Sequence, residues 1–155
     1  MPYLIRKADP RDPRARALLQ ASHDLMASLF SSDDCHQMSV EALCGPDVLF
    51  FGAFDGAALL GCGGVARREG YGEIKAMFTD PQARGRGVAA AILTRIETTA
   101  RAEAIPCLRL ETGVGLDAAI ALYEATGFVA RPAFGAYSDS PASLFYEKNL
   151  TALGG

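Results

Sequence analysis

Apolar residues recur along this chain at two spacings, and the switches between them mark its elements. Residues 3–8 (Tyr-Leu-Ile-Arg-Lys-Ala) alternate loosely and predict a first strand. Asp9, Pro10, Asp12 and Pro13 break it. Leu18, Leu19, Ser22, Leu25, Met26 and Leu29 then follow at three- and four-residue steps. Positions 14–30 therefore predict an amphipathic helix, with Asp12 as its cap and Pro13 in its first turn. The polar run 31–37 predicts a loop, and Ser39, Ala42 and Leu43 a short second helix stopped by Gly45-Pro46. Two strands, 48–54 and 57–66, flank the tight-turn pair Asp55-Gly56. A turn at 67–72 leads to a strand at 73–79, and a helical run extends from Gly87 to about Glu103.

Pro106 ends that helix, and 107–111 predicts a buried strand. Gly113 and Gly115 predict a loop, and 117–125 a helix closed by Gly127 as its C-terminal cap. A strand at 128–130, a Pro/Gly/Ser-rich loop at 131–141, a strand at 143–150 and a frayed tail at 151–155 complete the chain. This order predicts one mixed α/β domain over 1–150. Its middle strands form an antiparallel meander, and two crossover helices impose parallel pairing beside it.

Composition narrows the function classes. At 155 residues, half of them apolar, the chain can bury one core. A net charge of −3 argues against a nucleic-acid surface, which is usually basic. There is no 18-residue apolar run for a membrane span and no apolar signal-peptide core in the first residues. Cys35, Cys44, Cys62 and Cys107 form no C-x-x-C pair, so free thiols in a reducing, cytoplasmic setting are expected. His23 and His36 belong to no ligand motif, and no metal site is expected.

The most informative stretch joins the strand at 73–79 to the next helix: Thr79-Asp80-Pro81-Gln82-Ala83-Arg84-Gly85-Arg86-Gly87-Val88-Ala89-Ala90. Two glycines one residue apart bare the backbone there. The first turn of the following helix offers unpaired N–H groups and a positive dipole end. That combination is an anion site, and phosphate is its usual occupant. No Gly-Lys-Ser/Thr follows, so it is not a Walker loop. The third glycine and the early position of a Rossmann fingerprint are also missing.

What remains is Q-x-x-G-x-G over 82–87, followed about 35 residues later by Leu122-Tyr123-Glu124-Ala125-Thr126-Gly127-Phe128. The pair, in this order and spacing, resembles the GCN5-related N-acetyltransferase (GNAT) superfamily. The segments at 110–113 and 134–139 are similar to a small bacterial subgroup. The resemblance implies a central mixed sheet of six or seven strands with about four flanking helices, splayed between the strands at 73–79 and 107–111. It implies acetyl-CoA as donor. The coenzyme A would be held by Met77, Phe78, Thr79, Gln82, Ala83, Arg84, Gly85, Arg86, Gly87, Val88, Ala89 and Tyr123. A backbone N–H near Met77 would polarise the thioester carbonyl. Many relatives carry an amide where this chain has Leu116, so that contact with the pantetheine arm is lost or replaced, with Thr112 or Asp117 as candidates.

Acetyl transfer to an amine requires a neutral amine, a stabilised oxyanion and a protonated leaving thiolate. No covalent intermediate is needed when both substrates bind together. Tyr123 is the candidate acid, Glu73 the first candidate base, and Glu111 the second candidate base and a possible site for the amine. His36 and Tyr137, from the two variable loops, are candidates to line the acceptor site. A small-molecule primary amine is the expected acceptor. An N-terminal peptide acetyltransferase and a noncatalytic acyl-CoA sensor are the alternatives. Either a monomer or a homodimer is compatible.

Overall fold

The computed structural model describes residues 3–151. Seven strands form one open sheet in the order β1-β2-β3-β4-β5-β7-β6. They are β1 (Leu4–Lys7), β2 (Val48–Asp55), β3 (Ala58–Arg68), β4 (Tyr71–Thr79), β5 (Cys107–Gly113), β6 (Val129–Arg131) and β7 (Ser143–Asn149). Among the described residues the α-helices are α1 (Pro13–Leu29), α2 (Val40–Leu43), α3 (Val88–Ala102) and α4 (Asp117–Ala125). Neighbouring strands run antiparallel except β4 and β5. Those two are joined through α3, and a crossover helix makes its flanking strands parallel.

Each face of the sheet is covered by the helices whose apolar periodicity matches it. On α1, Ala15, Leu18, Leu19 and Ser22 are buried, and the first three pack with Leu43 of α2 over Phe50, Phe54, Leu59 and Cys62. On α3, Val88, Ile92, Leu93, Ile96 and Ala100 are buried against Phe51, Val65, Ile74, Leu108 and Leu110 on the opposite face. Asp12 caps α1 by accepting a hydrogen bond from the Arg14 N–H at 2.9 Å, with Pro13 in the first turn.

Three local expectations shift. The turn expected at 67–72 shrinks to two residues, because the β3–β4 ladder continues to the Arg68–Tyr71 pair and Gly70, at φ 84°, closes it. Leu29, placed on the apolar stripe of α1, is 54% exposed. The loop at 31–37 contains one 3-10 turn, Ser32–Asp34. Of the expected tail, residues 152–155 lie outside the described residues.

Two irregularities in β4 shape the site. The β4–β5 ladder holds only two residue pairs, Gly72–Leu108 and Glu73–Arg109, after which the strands diverge. On the other edge, two steps of β3 (Gly64 to Cys62) face three steps of β4 (Lys75 to Phe78). The extra residue is a bulge, with Ala76 at φ 62°. A bulge reverses side-chain alternation. Lys75 precedes it and reaches the loop after α1, while Ala76 and Phe78 follow it and pack on the α1 side.

Candidate active site

The gap between β4 and β5 opens into two connected cavities. The first is a groove of about 530 Å3 between the turn at 79–90 and α4. Its lining includes Met77, Phe78, Thr79, Ala83, Arg84, Gly85, Gly87, Val88, Ala89 and Tyr123. The turn is built by Asp80, whose carboxylate accepts from the Gln82 N–H at 2.9 Å and starts the 3-10 turn Pro81–Ala83. Gly85 and Gly87 follow at φ 84° and 75°, in the left-handed region that favours glycine. Gly87 is the N-cap of α3, and the first helical hydrogen bond in α3 runs from Ala91 to Gly87. The N–H groups of residues 88–90 therefore face the groove without helical partners. A Cβ built on Gly85 would meet no atom within 4 Å.

Bare backbone, a 15-residue helix's positive end and Arg84 beside it suit a pyrophosphate. The divergent β4 edge suits an extended arm that pairs with a strand. The chain's residues thus fit coenzyme A. Two expected contacts fall elsewhere: Gln82 and Arg86 do not line the groove. Arg86 forms an ion pair with Asp55 at 3.2 Å, and its carbonyl accepts from the Tyr3 hydroxyl.

The second cavity is small, about 140 Å3, and lies between α1 and the diverging strands. It shares Met26, Met77, Leu116, Ala119 and Tyr123 with the groove, so these residues form the junction. Tyr123 is buried, with its ring edge-on to Phe128 at 5.7 Å. Among the described residues no fully buried polar side-chain atom lacks a partner. The Tyr123 hydroxyl has no hydrogen bond in the protein, so its oxygen keeps surface on the junction. Burial pushes this phenol well above its ordinary pKa, and it stays protonated at every working pH.

Glu111 lines the same small cavity and accepts one hydrogen bond, from Ser143 at 2.9 Å. Glu73 does not. It is the third residue of β4, is only 4% exposed, and lines a third cavity of about 670 Å3 between the loops at 33–38 and 135–140. Arg68 donates to its Oε1 at 3.0 and 3.1 Å, and the Tyr137 hydroxyl donates to its Oε2 at 2.5 Å. Tyr123 and Glu111 therefore line one cavity and Glu73 another.

His36 and Tyr137 meet edge-on at 5.3 Å, joining the two variable loops. His36 lines both the small and the outer cavity, and Tyr137 only the outer one. Tyr137 is further fixed by Phe134 at 5.2 Å and Phe145 at 5.5 Å. Burial and the adjacent Glu73 carboxylate push its phenol above the ordinary value. Sequence reasoning missed Leu25 and Met26 of α1 and Lys75 of β4. The helix residues fit the core stripe equally well, and the bulge that aims Lys75 leaves no mark in the pattern.

A sheet split between two parallel strands, with a turn suited to a pyrophosphate beside the groove and Tyr123 at the junction with the inner cavity, fits an acyltransferase with a coenzyme A donor. Comparison with known proteins agrees. Residues 15–128 match the model of the Acetyltransferase (GNAT) family. The chain is 37% identical over 148 residues to an IAA acetyltransferase of Azospirillum brasilense, covering 94% of this chain and 97% of that protein. A crystal structure from Klebsiella pneumoniae, described as a candidate acyl-CoA N-acyltransferase, superposes with a TM-score of 0.80. It is 34% identical, with 96% of this chain and 97% of that one covered. The PaiA N-acetyltransferase of Thermoplasma acidophilum, solved with coenzyme A, shares the fold at a TM-score of 0.74 and 18% identity, over 96% and 99% of the two chains. The chain belongs to the GNAT acetyltransferase family. It is an acyltransferase, and its donor is acetyl-CoA. None of the helices described is long and apolar enough to cross a membrane.

Proposed function

We propose that the chain transfers the acetyl group directly to the primary amine of a small molecule. The observation that carries this reading is that Tyr123 and Glu111 line one cavity of about 140 Å3 that opens onto the cofactor groove. A chamber of that size takes a compact amine.

Acetyl-CoA, when bound, supplies an acyl group activated as a thioester. The backbone N–H groups of 88–90 and Arg84 hold its phosphates, and the open edge of β4 from Met77 to Thr79 aligns its arm. Glu111 receives the ammonium form of the acceptor and takes up its proton, since a protonated amine has no lone pair to donate. Ser143 keeps one Glu111 oxygen oriented and leaves the other for the amine. Tyr123 holds its proton at the junction and offers it to the departing sulfur. Leu116 and the apolar face of α4 exclude water from that point. Glu73, held by Arg68 and Tyr137, is an anchor for the loop at 134–140.

The test is thiol release from acetyl-CoA in the presence of a panel of small primary amines, followed by mass detection of the acetylated product. Amine-dependent release is expected for compact members. Tight coenzyme A binding without release by any amine would overturn the reading in favour of a sensor.

A further inference from the structure

The small inner cavity and the large outer cavity share four lining residues: Asp34, His36, Gln37 and Lys75. They are the wall between the two. Three of them lie on the loop after α1, and one, Lys75, comes across from β4. The Lys75 ammonium donates to the His36 carbonyl at 2.8 Å and to the Tyr137 hydroxyl at 2.9 Å, with Glu73 at 3.6 Å as its counter-charge. Its side chain is only 11% exposed. The Lys75–His36 bond thus bridges the space between the strand and the loop, and it is held in place from behind by Tyr137 and Glu73.

Resting on the small-amine reading above, we propose that Lys75 is a specificity-determining residue that sets the length of the acceptor. With the bridge in place, the reacting amine and its substituent must fit the inner chamber. At about 30 Å3 per small group, 140 Å3 holds roughly five heavy atoms. Without the bridge, the inner chamber runs into an outer space of about 670 Å3, and longer chains are admitted. Two of the three Lys75 ammonium donors are spent on the His36 carbonyl and the Tyr137 hydroxyl, and its charge is already paired with the Glu73 carboxylate. Its role is therefore to position the wall rather than to read charge on the acceptor.

The experiment uses unbranched primary n-alkylamines from three to nine carbons. It compares kcat/KM across chain length in the wild type, Lys75→Ala and Lys75→Arg. Binding of the same amines to the coenzyme A-loaded protein is measured by calorimetry. In the wild type, kcat/KM and affinity rise to about four carbons, which with the nitrogen make about five heavy atoms, and then fall. In Lys75→Ala they keep rising, about fourfold per added methylene while the chain is being buried. The nine-to-four-carbon ratio then shifts by at least tenfold, mainly through KM. Lys75→Arg spans the same gap and retains the cut-off. If Lys75→Ala does not fold, Lys75→Met, which keeps the stem and drops the bond, is read in its place. Identical length profiles in wild type and variant, or no cut-off in the wild type, overturn the proposal. Failure of every amine as an acceptor sinks the transfer reading instead, and the wall is then judged on the calorimetric profile alone.

Discussion

Gly85 separates the cofactor site from the stability of the turn that forms it. Its φ is 84°, and an added Cβ would meet nothing within 4 Å. Gly56, in the β2–β3 turn, has φ 57° and the same open surroundings, but does not line the groove. Gly85→Ala and Gly56→Ala therefore carry the same folding penalty. A left-handed non-glycine residue costs about 1–2 kcal/mol, offset by about 0.4–1 kcal/mol from a less flexible unfolded chain. A net loss of about 1 kcal/mol in each variant corresponds to about 2–4 °C in Tm at this chain length. Only Gly85→Ala places a methyl group on the wall of the groove. Losing close backbone approach to a bound anion should weaken coenzyme A at least tenfold, while Gly56→Ala binds as the wild type does. Thermal melts and calorimetric titration with coenzyme A measure both quantities on the same samples. Equal stability loss with unchanged coenzyme A affinity in Gly85→Ala would refute the assignment of this turn to the pyrophosphate.

Three further outcomes follow from the junction. Tyr123→Phe should lower kcat by about 100-fold or more and leave coenzyme A affinity within twofold. Because the hydroxyl has no protein partner, Tm should stay close to wild type, and unchanged turnover would remove the residue as acid. Alkaline stability should also report this phenol. Its folded pKa is raised above the unfolded value near 10, so above pH 10 the unfolded chain releases a proton that the folded chain keeps. The contribution is fully present below pH 10 and is lost at about 1.4 kcal/mol per pH unit above it. Urea melts from pH 9 to 11 should show a shallower decline in Tyr123→Phe, and parallel curves would contradict the burial argument. Glu111→Gln keeps an acceptor for Ser143 but removes the charge, so amine KM should rise about tenfold or more and the pH–rate profile should shift, with coenzyme A affinity unaltered. A variant with wild-type amine KM would exclude Glu111 as the amine's partner.

The donor half of the site was legible because it is made of backbone, and backbone demands particular residues. Two left-handed positions and an exposed helix start call for Gly85 and Gly87, and those letters are visible in any sequence. Element types came through for a similar reason: Val88, Ile92, Ile96 and Ala100 can share a buried face only if 88–100 is helical. The acceptor half is made of side chains carried on loops, and their meeting depends on long-range geometry. Glu73, the first candidate base at the start of a predicted strand, lies third in β4, where Arg68 and Tyr137 enclose it. Lys75 and His36 are 39 positions apart, and nothing in their neighbours announces the bond between them.

The bulge at Ala76 is what makes one strand serve three cavities. In a regular strand Lys75 and Met77 would project from the same face. Here the extra residue turns Lys75 toward the loop after α1, while Met77 lies against Gly63 and Ile92 on the α3 side. Gly63 permits this, since a Cβ there would fall 2.3 Å from the Met77 sulfur. The left-handed φ of Ala76 costs about 1–2 kcal/mol, and so local stability is traded for placement. Before the bulge, β4 anchors the acceptor loops through Glu73 and Lys75. After it, the same strand gives its free edge to the donor and Met77 to the junction. The residue that ends the inner chamber and the residue that begins the cofactor groove are thus two positions apart on one rigid element. The spacing between the inner chamber and the groove is set along β4 by covalent geometry rather than by the loops that carry His36 and Tyr137.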